Sequence, residues 1–407
     1  MGFAIELVCP ECSQTFAAEA VQTFCRSCAS PLLARYDFEE IAHALAPGVV
    51  RQRARGIWRW AEFLPVQGTQ WRITLGEGDT PLLPLPKLGK RLGLRHLYLK
   101  DEARNPAGCF KARGIAVSLS RHLELGLRHF YLASAGNAGG TLAVYGARTN
   151  WLLRQKQERC SFRIYLASTA PLANRLEIQT SGAEFYLIEG TIADAAARAA
   201  QDMNLEQGAT PQRWFDLSTF KEPYRVEGKK TLGFELAEQF DYHLPDVILY
   251  PTGGGTGLIG MWKAFDELER VGWIGEKRPR MISVQAQGCA PIVEAFRQGT
   301  ERTRFWHNAA TSATGLCVPQ PFADRLILKV LRESGGDALA VDEEEIRLAQ
   351  QELAQLEGVF APPEGAATLA ALKIMVSQQK LDPQERVVLF NTASGVKYTF
   401  EVTTLEG

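Results

Sequence analysis

The residues of this chain best suited to chemistry are a lysine and two glycine-rich turns. Lys111 lies in Asn105-Pro106-Ala107-Gly108-Cys109-Phe110-Lys111-Ala112-Arg113-Gly114, between a Pro/Gly turn and the helical stretch Ile115–Leu123. Beside Phe110 at a helix start, its amine could have a lowered pKa and form a Schiff base. Thr252-Gly253-Gly254-Gly255-Thr256-Gly257 follows the apolar run Val247–Tyr250 and opens a helix over Leu258–Leu268. Glycines let backbone N–H groups converge, and the helix N-terminus adds partial positive charge, so this loop reads as a phosphate cradle. Gly255, Gly257 and Gly260 also spell GxGxxG, but the next strand, Met281–Gln285, ends in Gln where a dinucleotide site needs a carboxylate. A lone phosphate group is therefore the better guest, and no Gly-Lys-Ser/Thr follows as a P-loop requires. Ala133-Ser134-Ala135-Gly136-Asn137-Ala138-Gly139-Gly140 is a second helix start, whose amides suit a carboxylate. Two anion cradles imply a phosphate-bearing ligand next to a carboxylate-bearing substrate.

A separate chemistry sits at the N-terminus. Cys9-Pro10-Glu11-Cys12 and Cys25-Arg26-Ser27-Cys28 are two CxxC pairs with 12 residues between them. Four thiolates so spaced can meet at one tetrahedral zinc and clip a segment too small to fold alone. The alternative is a knuckle folded without metal; a redox CxxC would normally open a helix in a βαβ unit. Cys109, Cys160, Cys289 and Cys317 are scattered, as small core residues usually are.

Positioning these residues requires a parallel sheet. Short β-rich runs are expected at His96–Lys100, His129–Ala133, Phe162–Ala167, Glu184–Glu189, Val247–Tyr250, Met281–Gln285 and Arg386–Phe390, with amphipathic helices between several of them. One helix, Asp342–Glu357, begins with a capping box of Asp342 and Glu345. Such alternation predicts an α/β fold of parallel strands covered by helices on both faces. Asn150–Cys160 reads as a solvated helix end or loop insertion. The 407 residues suggest two or three domains. Lys+Arg total 45 against 46 Asp+Glu, so the chain has no summed positive field and no nucleic-acid partner is expected. No apolar run reaches the roughly 18 residues of a membrane span. Met1–Glu6 lack a charged and an apolar signal region, so a cytoplasmic protein is expected.

Taken together, five ordered segments resemble the fold-type-II pyridoxal-phosphate enzymes. The Lys111 segment resembles the NPTGSFKDRG box, Ala133–Gly140 the SSGNAGG box, and Pro251–Gly257 the glycine-rich phosphate loop. Asn391-Thr392-Ala393-Ser394-Gly395-Val396-Lys397 is similar to the LTGxGLK box, and Leu75–Leu82 to GEGxTPL. Within that group the chain most resembles the threonine synthases, over nearly its whole length. The resemblance implies two doubly wound three-layer domains with the cofactor between them, preceded by a zinc-ribbon-like knuckle. Expected bounds are 1–33 for the knuckle, 34–114 with 204–407 for the large cofactor domain, and 115–203 for the small substrate domain.

The resemblance also implies residue roles. Lys111 would attach the cofactor and move protons, Asn137 would meet the pyridine 3′-oxygen, and Gly253, Gly254, Gly255, Thr256 and Gly257 would hold the cofactor phosphate. Thr392 would face the ring nitrogen, where a hydroxyl moderates the electron sink. Ser134, Ala135, Gly136 and Asn137 would take the substrate carboxylate. Arg225, in Thr219–Thr231 (the NSxNPxRIEGxKT stretch), would hold a substrate phosphate, and Cys9, Cys12, Cys25 and Cys28 a structural zinc. The implied reaction turns O-phospho-L-homoserine and water into L-threonine and phosphate, in a homodimer. Several positions depart from the family pattern: Thr219-Phe220 for Asn-Ser, Glu222 for Asn, Ala112 for Asp and Ala135 for Ser. Glu222, Phe220 and Ala135 among them support an alternative β-elimination or β-replacement enzyme, such as a threonine/serine dehydratase or a cysteate-synthase-like enzyme. A non-enzymatic zinc-knuckle binding protein is the reading from another class, and a colourless purified protein would favour it.

Overall fold

The computed structural model describes residues 3–206 and 213–398. Strands β1 (Ala4–Val8), β2 (Thr15–Ala17) and β3 (Leu33–Tyr36) form a small antiparallel sheet ordered β2-β1-β3, from which the cysteine loops project. Among the described residues ten further strands follow: β4 (Leu82–Pro84), β5 (His96–Asp101), β6 (His129–Ser134), β7 (Ser161–Ala167), β8 (Glu184–Ile188), β9 (Phe215–Asp216), β10 (Val247–Pro251), β11 (Arg280–Ala286), β12 (Asp337–Val341) and β13 (Arg386–Asn391).

Two sheets are built from them. One has the order β12-β11-β10-β13-β5-β4 and is parallel except for the antiparallel edge strand β4. The other, β8-β7-β6-β9, is entirely parallel. The expected α/β class holds, and all seven expected strands are present. Their residues explain why: every residue of β10 is buried, as a parallel strand covered by helices on both faces demands. The smaller sheet takes its fourth strand from Phe215–Asp216, past the expected boundary at 203, because that segment pairs with Phe130 and Tyr131 of β6. The helix Glu343–Glu357 opens with the expected capping box.

The helix Lys111–Glu124 is held by an ionic cluster cut off from water. Arg113, fully buried, donates from Nε to Glu102 (2.7 Å) and from Nη1 to Glu235 (2.6 Å) and Thr231 (3.0 Å). Its Nη2 reaches Glu102, Glu235 and the Thr80 hydroxyl. Lys100 completes the set, donating to Glu235 at 3.0 Å and to the Thr80 carbonyl at 2.7 Å. Two cations thus face two carboxylates. Although burial opposes ionisation, Arg113 and Lys100 hold Glu235 below the usual carboxylate range.

The same helix crosses Arg225–Gln239 through a pair of glycines. A Cβ on Gly114 would lie 2.8 Å from the Arg225 carbonyl oxygen, and one on Gly228 would overlap the Arg113 carbonyl. Arg113→Met should leave Glu102 buried without its cation, with Glu235 held by Lys100 alone, and destabilise the protein by about 3–5 kcal/mol. Denaturant unfolding checks this, and a loss below about 1 kcal/mol, the ceiling for exposed pairs, would contradict the cluster's structural role.

Candidate active site

Four of the five segments that resemble family boxes lie at the carboxyl ends of parallel strands, where ligands bind in open α/β sheets. Ser134–Asn137 follows β6, Thr252–Gly257 follows β10, Thr392 follows β13, and Lys111 begins its helix after the turns that leave β5. They border one cavity of about 430 Å³, inside the usual range for cofactor sites of about 300–1,000 Å³.

Lys111, Ser134, Ala135, Gly136, Asn137, Gly253, Gly254, Gly255, Thr256, Gly257 and Thr392 all line this cavity. The Lys111 amine lies 4.4 Å from the centre of the Phe110 ring. Burial lowers its pKa to about 8, helped by the nearby Arg225 guanidinium. The glycine-rich loop has no room for side chains: Gly255 adopts φ +78°, and a Cβ on Gly257 would overlap the Tyr250 hydroxyl. In the other cradle the Ser134 hydroxyl accepts from the amides of Gly136 and Gly139, both at 3.0 Å. It therefore shapes the loop and is not free for a ligand. Gln285, which spoke against a dinucleotide, has a structural task. Its amide donates to the Thr252 carbonyl and its oxygen accepts from Ile292 and Val293, tying the phosphate-type loop to the next helix.

Arg225 is not on the cavity wall. It is buried behind it, donating from Nη1 to the Leu217 carbonyl at 2.8 Å. Glu222 is likewise turned away. Its carboxylate accepts from the Tyr224 and Arg225 amides and the Ser118 hydroxyl, capping the Arg225–Gln239 helix. Burial lifts its pKa to about 7, against the opposing pull of Arg225. The Thr219–Glu222 departures thus differ in effect, since Thr219 borders the cavity and Glu222 does not.

Other lining residues carried no sequence signal. Glu364 is the lining carboxylate among the described residues; its Oε1 accepts from the Gly315 amide (2.7 Å) and the Tyr398 hydroxyl (2.9 Å), while Oε2 has no partner among them. Tyr398 in turn accepts from Asn137 Nδ2 at 3.1 Å. Asn174 is fully buried with both amide atoms unpartnered among the described residues. Lys221 is the one cation besides Lys111 among the described lining residues. Lys229, behind the wall, stacks 3.8 Å from the Phe110 ring centre and donates to the Phe110 carbonyl. Burial first, then Lys111 and Arg225, drive its pKa well below normal.

In the knuckle, the ligand atoms of Cys9, Cys12, Cys25 and Cys28 lie within 4.8 Å of one another. Sulfur separations of 3.3 Å (Cys9–Cys28), 3.6 Å (Cys12–Cys25) and 3.9 Å (Cys12–Cys28) bracket the roughly 3.8 Å edge of a zinc–thiolate tetrahedron. The four thiols could hold a metal such as zinc. Among the described residues no helix is long and apolar enough to cross a membrane.

Residues 73–393 match the family model described as "Pyridoxal-phosphate dependent enzyme". Among curated relatives, a threonine synthase of Methanocaldococcus jannaschii is 34% identical over 96% of this chain and 92% of its own. One from Methanosarcina acetivorans is 33% identical over 96% and 92%. Of the solved structures, maize serine racemase superposes with TM-score 0.63 at 20% identity, covering 78% of this chain and 88% of its own. The processed form of threonine deaminase isoform 2 from Solanum lycopersicum does so with TM-score 0.63 at 21% identity, covering 82% and 87%.

The cavity suits pyridoxal phosphate. Its wall carries a lysine with a depressed pKa, a side-chain-free amide loop, and unpartnered polar atoms on Asn137, Asn174 and Glu364. A pH dependence follows. Only the neutral amine attacks an aldehyde, and with a pKa near 8 instead of about 10.4 the neutral fraction at pH 7 is about one-tenth, not roughly one in 2,500. The rate at which the apoprotein captures pyridoxal phosphate should climb with pH and level off above about 8. Stopped-flow absorbance checks this; a plateau reached only near pH 10 would contradict it.

Proposed function

Because this chain belongs to the pyridoxal-phosphate dependent enzyme family, we propose that it is a threonine synthase, converting O-phospho-L-homoserine and water to L-threonine and phosphate. The supporting observation is the likeness to proteins named threonine synthase along 96% of the chain. When bound, pyridoxal phosphate supplies an electron sink that stabilises negative charge at substrate carbon. This chain's residues do the rest. Lys111 would anchor the cofactor and, with burial lowering its pKa to about 8, take a proton from the substrate and return one to another carbon. The Gly253–Gly257 amides, with Thr256, hold the cofactor phosphate. Asn137, its amide turned by Tyr398, meets the 3′-oxygen. The Thr392 hydroxyl meets the ring nitrogen, and the Ser134–Asn137 loop offers amides to the substrate carboxylate.

A second reading is β-elimination from serine or threonine, which needs no substrate phosphate site. The retreat of Arg225 behind the cavity wall favours it. NMR of products separates the two. Incubating the cofactor-loaded protein with O-phospho-L-homoserine should give threonine and phosphate in equal amounts. Unchanged phosphohomoserine, with a 2-oxo acid and ammonia formed from threonine or serine, would replace the first reading by the second.

A further inference from the structure

We propose that Lys221 is a phosphate anchor of the active-site cavity and that the cysteine knuckle positions it. Arg225 is held behind the wall, so the cavity needs another cation for any phosphate outside the reach of the glycine-rich loop. Lys221 is that cation. It lies on the segment that crosses from β9 to the cavity, next to Thr219, whose side chain abuts Gly254 of the loop. Its ammonium forms no ion pair among the described residues. Asp216 is the carboxylate that acts on it, and that carboxylate is occupied by the Ser218 amide at 2.8 Å.

Two aromatic rings hold the ammonium. It stacks 4.0 Å from the centre of Phe322 and 5.2 Å from that of Phe24, and the two rings meet edge to face at 5.6 Å. Cation–π contact fixes a lysine in place while leaving its N–H donors available to an anion. Phe24 comes from the knuckle: it precedes Cys25 and bridges to Pro31. The knuckle is itself fastened to residues near Phe322 and Lys221 in sequence and to the Lys111–Glu124 helix. Glu11 pairs with Arg325 at 2.7 Å, and the Ala18 carbonyl accepts from Arg121 and from the Tyr224 hydroxyl. The four-cysteine unit thus touches the cavity-lining Lys221 through one ring.

A phosphate here could belong to the substrate or to the cofactor, and the substrate case rests on the proposed function. Lys221→Met, Lys221→Arg and Phe24→Leu would be compared with the unchanged chain by spectral titration. The ligands would be O-phospho-L-homoserine and homoserine on the cofactor-loaded protein, and pyridoxal phosphate and pyridoxal on the apoprotein. We expect Lys221→Met to weaken a phosphorylated ligand by about tenfold or more, as loss of a charge-assisted contact does, and to leave its unphosphorylated partner unchanged. Lys221→Arg should retain most of the affinity, and Phe24→Leu should move the same constant in the same direction with metal content unaltered. Whether the amino-acid pair or the pyridoxal pair responds identifies the source of the phosphate. If neither pair responds to Lys221→Met, the anchor is refuted; if Phe24→Leu alone is silent, the knuckle's role is refuted. An unchanged chain that binds homoserine as well as phosphohomoserine would defeat the substrate reading separately, with the pyridoxal pair still deciding the anchor.

Discussion

The buried guanidinium of Arg113 is the interaction on which the rest of this structure depends. It lies two residues beyond Lys111 and ties the first turn of that helix to Glu102, just past β5, and to Glu235, on the helix it crosses. Removing such charges from water is costly, and the cost is offset only when every donor is met, as it is here by two carboxylates and two threonine hydroxyls. The glycine contact at Gly114 and Gly228 lets the two helices approach closely enough for that geometry. Lys111 is thereby aimed into the cavity, and Lys229, from the crossing helix, is left behind Phe110.

This arrangement sets the electrostatics of the site. Lys111, Lys229 and Arg225 crowd one small region with few carboxylates to balance them, and burial together with mutual repulsion favours losing protons from the lysines. The wall therefore offers an amine that gives up its proton near pH 8 for covalent chemistry, while fixed backbone amides of the glycine-rich loop supply positive potential. Glu364, whose pKa burial raises, joins Tyr398 and Asn137 in a chain of hydrogen bonds along the floor.

Much of this was legible in the residues. Parallel strands such as Val247–Tyr250 announce themselves because burial on both faces requires an unbroken apolar run. The boxes around Lys111, Ser134–Asn137, Gly253–Gly257 and Thr392 were legible because the backbone there admits little else. What could not be read depends on side-chain direction. Arg225 looks like a phosphate ligand in its motif, yet the Leu217 carbonyl takes its guanidinium. Glu222 looks like a misplaced charge, yet it caps a helix. Glu364, Lys221 and Lys229 owe their positions to segments distant in sequence, and β9 is too short to carry a pattern.

The central claim is that the Arg113 cluster, by aiming Lys111 into the cavity and leaving Lys229 behind Phe110, makes Lys111 the lysine that carries the cofactor. Borohydride reduction of the protein loaded with pyridoxal phosphate, followed by proteolysis and mass spectrometry, tests it most directly. The account predicts a stable pyridoxyl label on the peptide containing Lys111. A label on Lys229, or an unlabelled chain, would contradict it.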